Sequence, residues 1–236
     1  MIFLMNIGNT NTQTGLYSGG VISGIKTLPT GDVDSSIIPE GIPCAASTVV
    51  PAVRKRLSGR DIFWLDGTCR TGLNMHLVDT ATLGSDRIAN IVRLADTSEL
   101  PAVCLDFGTA ITYDIVDSCR VFRGGAIAPG RALLRQALHN YTAQLPLIPI
   151  VDDLSAGVGT NTVDAMRLGI DRGAIGSARE LIAAIKMLFA DETVHLVGVG
   201  GDCKFFIDYI PEIEYGGNDY TLQGIRKAWE LNVDEN

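Results

Sequence analysis

The chain is poor in the side chains that hold metals or cross-link polypeptides. Its three histidines, His76, His139 and His195, match no ligand spacing, and its five cysteines (Cys44, Cys69, Cys104, Cys119, Cys203) include no C-x-x-C pair. A zinc centre of thiolates and imidazoles is thereby disfavoured, and an odd cysteine count in mostly apolar settings fits a reducing cytoplasm. Cationic residues are scarce too: 19 Lys and Arg stand against 27 Asp and Glu, a net charge of −8. That balance argues against sequence-independent binding of nucleic acid, while leaving small anionic substrates open, because local donors set such a site. No apolar run approaches the length of a membrane span. The N-terminal apolar stretch has no basic run before it and is too short for a secretory leader. The cytoplasm is the expected location.

What the chain does have is glycine, 26 residues of it, and two short glycine turns stand out. Asn6-Ile7-Gly8-Asn9-Thr10-Asn11-Thr12 follows an apolar N-terminal run, and Asp106-Phe107-Gly108-Thr109-Ala110-Ile111-Thr112 follows a second run about a hundred residues on. Each reads as strand, turn, strand. Glycine lets a backbone approach a ligand closely, and adjacent Thr or Asn supplies neutral donors to phosphate oxygens. One such turn is weak evidence; two, near the start of each half, predict a duplicated fold that grips nucleotide phosphates between its halves.

The remaining pattern repeats in the same way. Strands are expected to about residue 17 and over 21–28, 44–50 and 62–65, with a Pro-, Gly- and Asp-rich loop over 29–43. Pro51 is placed to start a short helix, and apolar positions 88, 91, 92 and 95 mark a helical stripe after Gly84-Ser85. The second half predicts strands over 102–105, 111–116, 121–127 and 195–199. Helices are expected over 131–141, 162–189 (with a break) and 222–231. Three strands followed by strand and helix elements, twice over, is an α/β layout of duplicated actin-like ATPase (ribonuclease H-like) domains, mixed sheets flanked by helices. The expected division is residues 1–101 and 102–236.

Seven stretches, in shared order and spacing, carry a closer resemblance. They are Ile7-Gly8-Asn9-Thr10, Ala46-Ser47-Thr48-Val49-Val50-Pro51, Gly84-Ser85-Asp86-Arg87-Ile88-Ala89-Asn90, Asp106-Phe107-Gly108-Thr109-Ala110, Gly124-Gly125-Ala126-Ile127-Ala128-Pro129-Gly130, Thr142-Ala143-Gln144-Leu145-Pro146 and Gly159-Thr160-Asn161-Thr162. From end to end the chain resembles the type III pantothenate kinases. The resemblance implies ATP-dependent phosphorylation of pantothenate, the first step towards coenzyme A, by a homodimer that needs Mg²⁺ with ATP and a monovalent cation, K⁺ or NH₄⁺.

It also implies residue roles. Asp86 matches the catalytic base, and Gly84, Ser85, Asp86, Arg87 and Thr162 the pantothenate side, with Arg87 suited to forking onto a carboxylate. Asn6, Ile7, Gly8, Asn9, Thr10, Asn11, Thr12 and Gln13, together with Thr109, fall on the ATP side. Asp106 matches the ligand of the monovalent cation, and Gly200-Gly201-Asp202 resembles the adenosine-side turn. Taken as residues alone, Asp86 and Thr162 also read as helix caps, and Asp106 as an acceptor of turn N–H groups. Three departures from the family pattern stand out. Asn6 replaces an aspartate, Leu77-Val78-Asp79-Thr80 replaces a Tyr-x-Asn-Pro element, and Thr160 replaces a basic residue. They leave two other readings: an impaired binding or regulatory member, or a kinase for another small alcohol.

Overall fold

The computed structural model describes residues 1–154 and 157–233. Two five-stranded sheets are built with one strand order used twice. The first comprises β1 (Ile2–Ile7), β2 (Asn11–Ser18), β3 (Val21–Pro29), β4 (Cys44–Thr48) and β5 (Phe63–Trp64), ordered β3-β2-β1-β4-β5. The second comprises β6 (Ala102–Phe107), β7 (Ala110–Val116), β8 (Phe122–Pro129), β9 (His195–Val199) and β10 (Glu214–Tyr215), ordered β10-β9-β6-β7-β8. The first sheet is mixed: β1 and β3 each pair antiparallel with β2, while β4 is parallel to both β1 and β5. This is the duplicated α/β architecture expected of actin-like ATPases, with helices on the sheet faces.

Why β1 lies at the centre follows from its composition. Ile2, Leu4, Met5 and Ile7 are all buried, so both faces must be covered. Alternation sends Ile2 and Leu4 to one face, against Ile88, Ala89 and Val92 of α2 (Ser85–Thr97) and Leu222, Ile225 and Ala228 of α6 (Tyr220–Val233). Phe3, Met5 and Ile7 go to the other, against Val33, Ile38 and Val53 and Leu57 at the end of α1 (Pro51–Arg56). Helices α2 and α6 approach so closely that a Cβ on Gly224 would lie 2.0 Å from the Ala89 carbonyl oxygen. Thr221 Oγ1 donates to Asn90 Oδ1 at 2.8 Å in the same buried seam.

The remaining helices are α3 (Arg131–Asn140), α4 (Thr162–Met187) and α5 (Cys203–Tyr209). The expected break in α4 is absent. Met166, Ile170, Ala174, Ile175, Ala178, Ile182 and Ile185 form one buried stripe that carries the helix through its glycines. Helix α5 and the two-residue strand β10 are not marked in the sequence pattern, and the 29–43 loop contains two 3₁₀ turns, Thr30–Asp32 and Ser35–Ile37. The chain divides into two compact units. One holds Met1–Ala102, Asp114–Gly124 and the C-terminal segment from Gly217; the other holds Val103–Tyr113 and Gly125–Gly216.

Candidate active site

In the first unit the parallel register sets Asn6 beside Ser47 and Ile7 beside Thr48, at the ends of β1 and β4. Buried Ser47 donates its hydroxyl to Asn6 Oδ1 at 2.7 Å. Beyond Ile7 the first glycine turn closes with Gly8 N–H donating to the Asn11 carbonyl at 3.0 Å, and a Cβ on Gly8 would lie 3.0 Å from that same oxygen. Asn9, Thr10 and Asn11 are exposed on the turn. Thr12 faces inward, fully buried and 3.0 Å from Thr30 Oγ1, which in turn donates to the Gly8 carbonyl at 2.8 Å. Its hydroxyl braces the turn from behind. The Gln13 side chain is engaged with the Asn218 carbonyl at 2.7 Å, and Ile7 is a core residue with only its backbone on offer.

Helix α2 begins beside this turn. Ser85 locks it in place twice over: its Oγ donates to the Thr48 carbonyl at 2.9 Å and accepts from Thr48 N–H at 2.7 Å. The cap position is Gly84, with no side-chain cap bond, so Asp86 does not cap the helix. A Cβ on Gly84 would lie 2.6 Å from Asp86 Oδ1, so glycine here leaves the carboxylate its space. Asp86 accepts from Arg87 N–H at 2.8 Å. Burial raises its pKa above the ordinary 3.8, against the lowering pull of the Arg87 backbone bond and charge.

Arg87 is held by a residue that the motifs did not single out. Its Nε and Nη2 donate to Asp114 Oδ1 at 2.8 and 2.6 Å, and the Asp114 side chain has no exposed surface. Two of the five guanidinium donors are therefore spent inside the protein. The signal was available: a carboxylate in the middle of the apolar strand Ile111–Val116 needs a cation near it. Ser47 carried no comparable mark.

In the second unit Asp106 is the last residue but one of β6, and Gly108 N–H donates to the Ala110 carbonyl at 3.1 Å. Thr109 is exposed at the tip. Two further glycines crowd this turn. A Cβ on Gly130 would lie 2.2 Å from the Gly108 carbonyl oxygen, and Gly130 N–H donates to the Thr109 carbonyl at 3.0 Å. Gly200, at φ +93°, would place a Cβ 2.5 Å from Asp106 Oδ1. Only glycine satisfies both that conformation and that space. Burial, followed by the Asp106 and Asp202 carboxylates, pushes the neighbouring Cys203 thiol up to about 12. Among the described residues, no three His, Cys, Asp or Glu side chains converge as a metal-binding group.

Thr162 opens α4 but does not cap it. Asn161 is the cap, its Oδ1 accepting from Asp164 N–H at 3.0 Å. Thr162 instead lines an apolar cavity of about 760 Å³, with Leu134 and Leu138 of α3 and Met166 and Ile170 of α4. The structure thus brings Asn6, the first turn and Gly84–Arg87 together in one unit. It gathers Asp106, Thr109 and Gly200–Asp202 in the other.

Comparison with known proteins finds matches along nearly the whole chain. Residues 2–184 match the family model for type III pantothenate kinase. A type III pantothenate kinase from Methylacidiphilum infernorum is 32% identical, covering 98% of this chain and 89% of its own. One from Geobacillus sp. is 30% identical, over 100% and 99%. Among solved structures, a Baf family protein from Campylobacter jejuni has a TM-score of 0.67 at 20% identity, covering 97% of this chain and 98% of its own. The activator of the 2-hydroxyisocaproyl-CoA dehydratase from Clostridium difficile, solved with bound ADPNP, has a TM-score of 0.56 at 14% identity, over 96% and 92%. At those identities the structural likeness shows the fold alone.

Proposed function

Because the chain belongs to the type III pantothenate kinase family, we propose that it transfers the γ-phosphoryl group of ATP to the primary hydroxyl of pantothenate, giving phosphopantothenate and ADP. The observation that carries this reading is Asp86. It is a carboxylate at the start of α2, fixed by the Ser85–Thr48 pair, given room by Gly84 and raised in basicity by burial. A group so placed suits accepting the hydroxyl proton as the oxygen attacks phosphorus. Arg87, with one edge held by Asp114, has its other edge to offer the pantothenate carboxylate. The first glycine turn, Asn6 through Gln13, and Thr109 of the second serve the ATP phosphates. Thr12 and Gln13 serve through the turn they brace.

The residues fit a monovalent cation at Asp106: Gly200 keeps space open beside the carboxylate, and the Asp106 and Asp202 carboxylates add to the burial that raises the Cys203 thiol. Mg²⁺ would be carried mainly by the phosphates, with Asn6 offering a neutral oxygen that Ser47 already uses. When bound, these ions neutralise charge on the phosphates and on Asp106. The working form is a cytoplasmic homodimer. Residues 1–101 and 102–236 are taken as the two copies of the fold, a division supported by the strand order repeating as β1–β5 and β6–β10.

Asn6 favours a second reading, a member that binds nucleotide and turns over poorly, since a carboxylate is missing where charge counts most. An assay of ADP release with pantothenate, Mg·ATP and K⁺ separates the two readings. Pantothenate-dependent turnover that falls by about 10²–10⁴ in Asp86→Asn establishes the kinase and its base. A silent wild type with activity gained in Asn6→Asp would mark a kinase switched off by one charge. Silence from all three would sink the proposal.

A further inference from the structure

The second unit holds a buried ion network around the first turn of α3 that the proposed chemistry does not use directly. Arg131 has no exposed side-chain surface. It forks onto Asp202, Nε donating to Oδ2 at 2.7 Å and Nη2 to Oδ1. Its Nη1 donates to the Val151 carbonyl at 3.0 Å and to Asp171 Oδ1 at 3.3 Å, and Nη2 also reaches Asp152 at 3.4 Å. One turn on, Arg135 donates to both oxygens of Asp171, at 2.8 and 3.0 Å, without reaching Asp202.

Three routes lead from Arg131 to the second glycine turn. Along the chain, Gly130 precedes it, and Gly130 N–H is bonded to Thr109. Through the carboxylate, Asp202 N–H donates to the Phe107 carbonyl at 3.0 Å. Through the rings, the Arg131 guanidinium lies 3.4 Å over the Phe205 centroid, and Phe205 meets Phe206 edge-on at 5.4 Å. Phe206 stacks on Phe107 at 4.1 Å. The Gly200–Asp202 turn and the Asp106–Thr109 turn are thereby fastened to one side chain.

We propose that Arg131 is a positioning residue for the nucleotide: it clamps the Gly200–Asp202 turn onto the Asp106–Thr109 turn and so sets affinity for ATP. The kinetic consequence rests on the kinase reading above; the clamp itself does not. A lysine at 131 keeps the charge but not the fork, so it isolates the geometry.

The test compares Arg131→Lys, Asp202→Asn and Arg135→Lys by steady-state kinetics, thermal melting and amide hydrogen exchange. Arg131→Lys and Asp202→Asn are expected to raise KM for ATP about ten- to a hundredfold, the scale of one charge-assisted hydrogen bond, with KM for pantothenate nearly unchanged. The double variant should be little worse than either single one. Arg135→Lys should lower the melting temperature and leave the ATP KM alone. Equal ATP effects from positions 131 and 135, or melting losses with no KM split, would overturn the proposal. Should Arg131→Lys fail to fold, the near-isosteric Asp202→Asn carries the test. Should the wild type not phosphorylate pantothenate, exchange decides: faster exchange at residues 107–109 and 200–203 in Asp202→Asn supports the clamp, and unchanged exchange refutes it.

Discussion

Asp86 occupies a position where function and stability oppose one another. Its pKa is raised above 3.8 chiefly by burial, so the folded protein holds that proton more tightly than the unfolded chain does. By linkage, stability falls as pH rises from about 3.8 through the folded pKa, and above that the full penalty of a buried carboxylate remains. Asp86→Asn should therefore melt higher than the wild type at pH 7, with the advantage vanishing below pH 3.8. The same shift sets the acid limb of catalysis, because only the ionised form takes a proton. The profile of kcat/KM should fall towards acid with an apparent pKa above 3.8. A limb at or below that value, or an Asp86→Asn variant that melts lower at pH 7, would show that the carboxylate is not desolvated. Asn6 is the complementary case. A unit charge at about 4 Å in an effective dielectric near 20 is worth roughly 4 kcal/mol. If only 2–3 kcal/mol of that reaches the transition state, Asn6→Asp gains roughly 30- to 150-fold in kcat. Ser47 already stands 2.7 Å away to bond the new carboxylate, so the substitution costs little in the fold.

At the scale of elements, whatever was written in periodicity or in turn chemistry could be read from the chain. The buried run at Ile2–Ile7, proline opening α1, the stripe of α2 and both glycine turns all follow from local rules. What stayed hidden depended on partners far along the chain. Helix α5 is seven residues, too short for its pattern to speak, and exists because Phe205 and Phe206 find Arg131 and Phe107. No local pattern pairs Arg87 with Asp114, Arg131 with Asp202, or Arg135 with Asp171, because each partner lies far along the chain. The expected break in α4 shows glycine being over-read. Gly176 is exposed, has no left-handed φ, and a Cβ there would meet nothing within 4 Å. Its lost backbone freedom costs helix stability with no compensating contact. Gly176→Ala should stabilise the protein by about 0.4–1 kcal/mol, a rise in Tm of about 1–4 °C. Calorimetry reads this directly; a lower Tm would mean the position serves something outside its own helix.

For the whole molecule the question is what covers the α3–α4 face. The cavity there is lined by Thr162, Ala165, Gly169 and Gly173 of α4, while Leu133 of α3, Val163 of α4 and Leu147 and Ile150 of the segment joining them stand partly exposed. Each such aliphatic side chain contributes about 1.5–3 kcal/mol when fully buried, so a face of this kind rewards a second copy through a closed twofold contact. Against it stands the charge: two chains at −8 each repel. Light scattering should therefore give twice 25.2 kDa, with dimerisation strengthening as salt screens that repulsion. Gly169→Glu is the variant of choice, because within one chain its Cβ would meet nothing within 4 Å, while a charge on this apolar cavity wall opposes burial against a second copy. It should yield a folded monomer. If Thr162 serves the partner's pantothenate site, that monomer should keep its ATP binding and lose affinity for pantothenate. A wild type that remains monomeric in high salt, or a Gly169→Glu variant that still dimerises, would place the contact elsewhere. Thr162 would then act within its own chain.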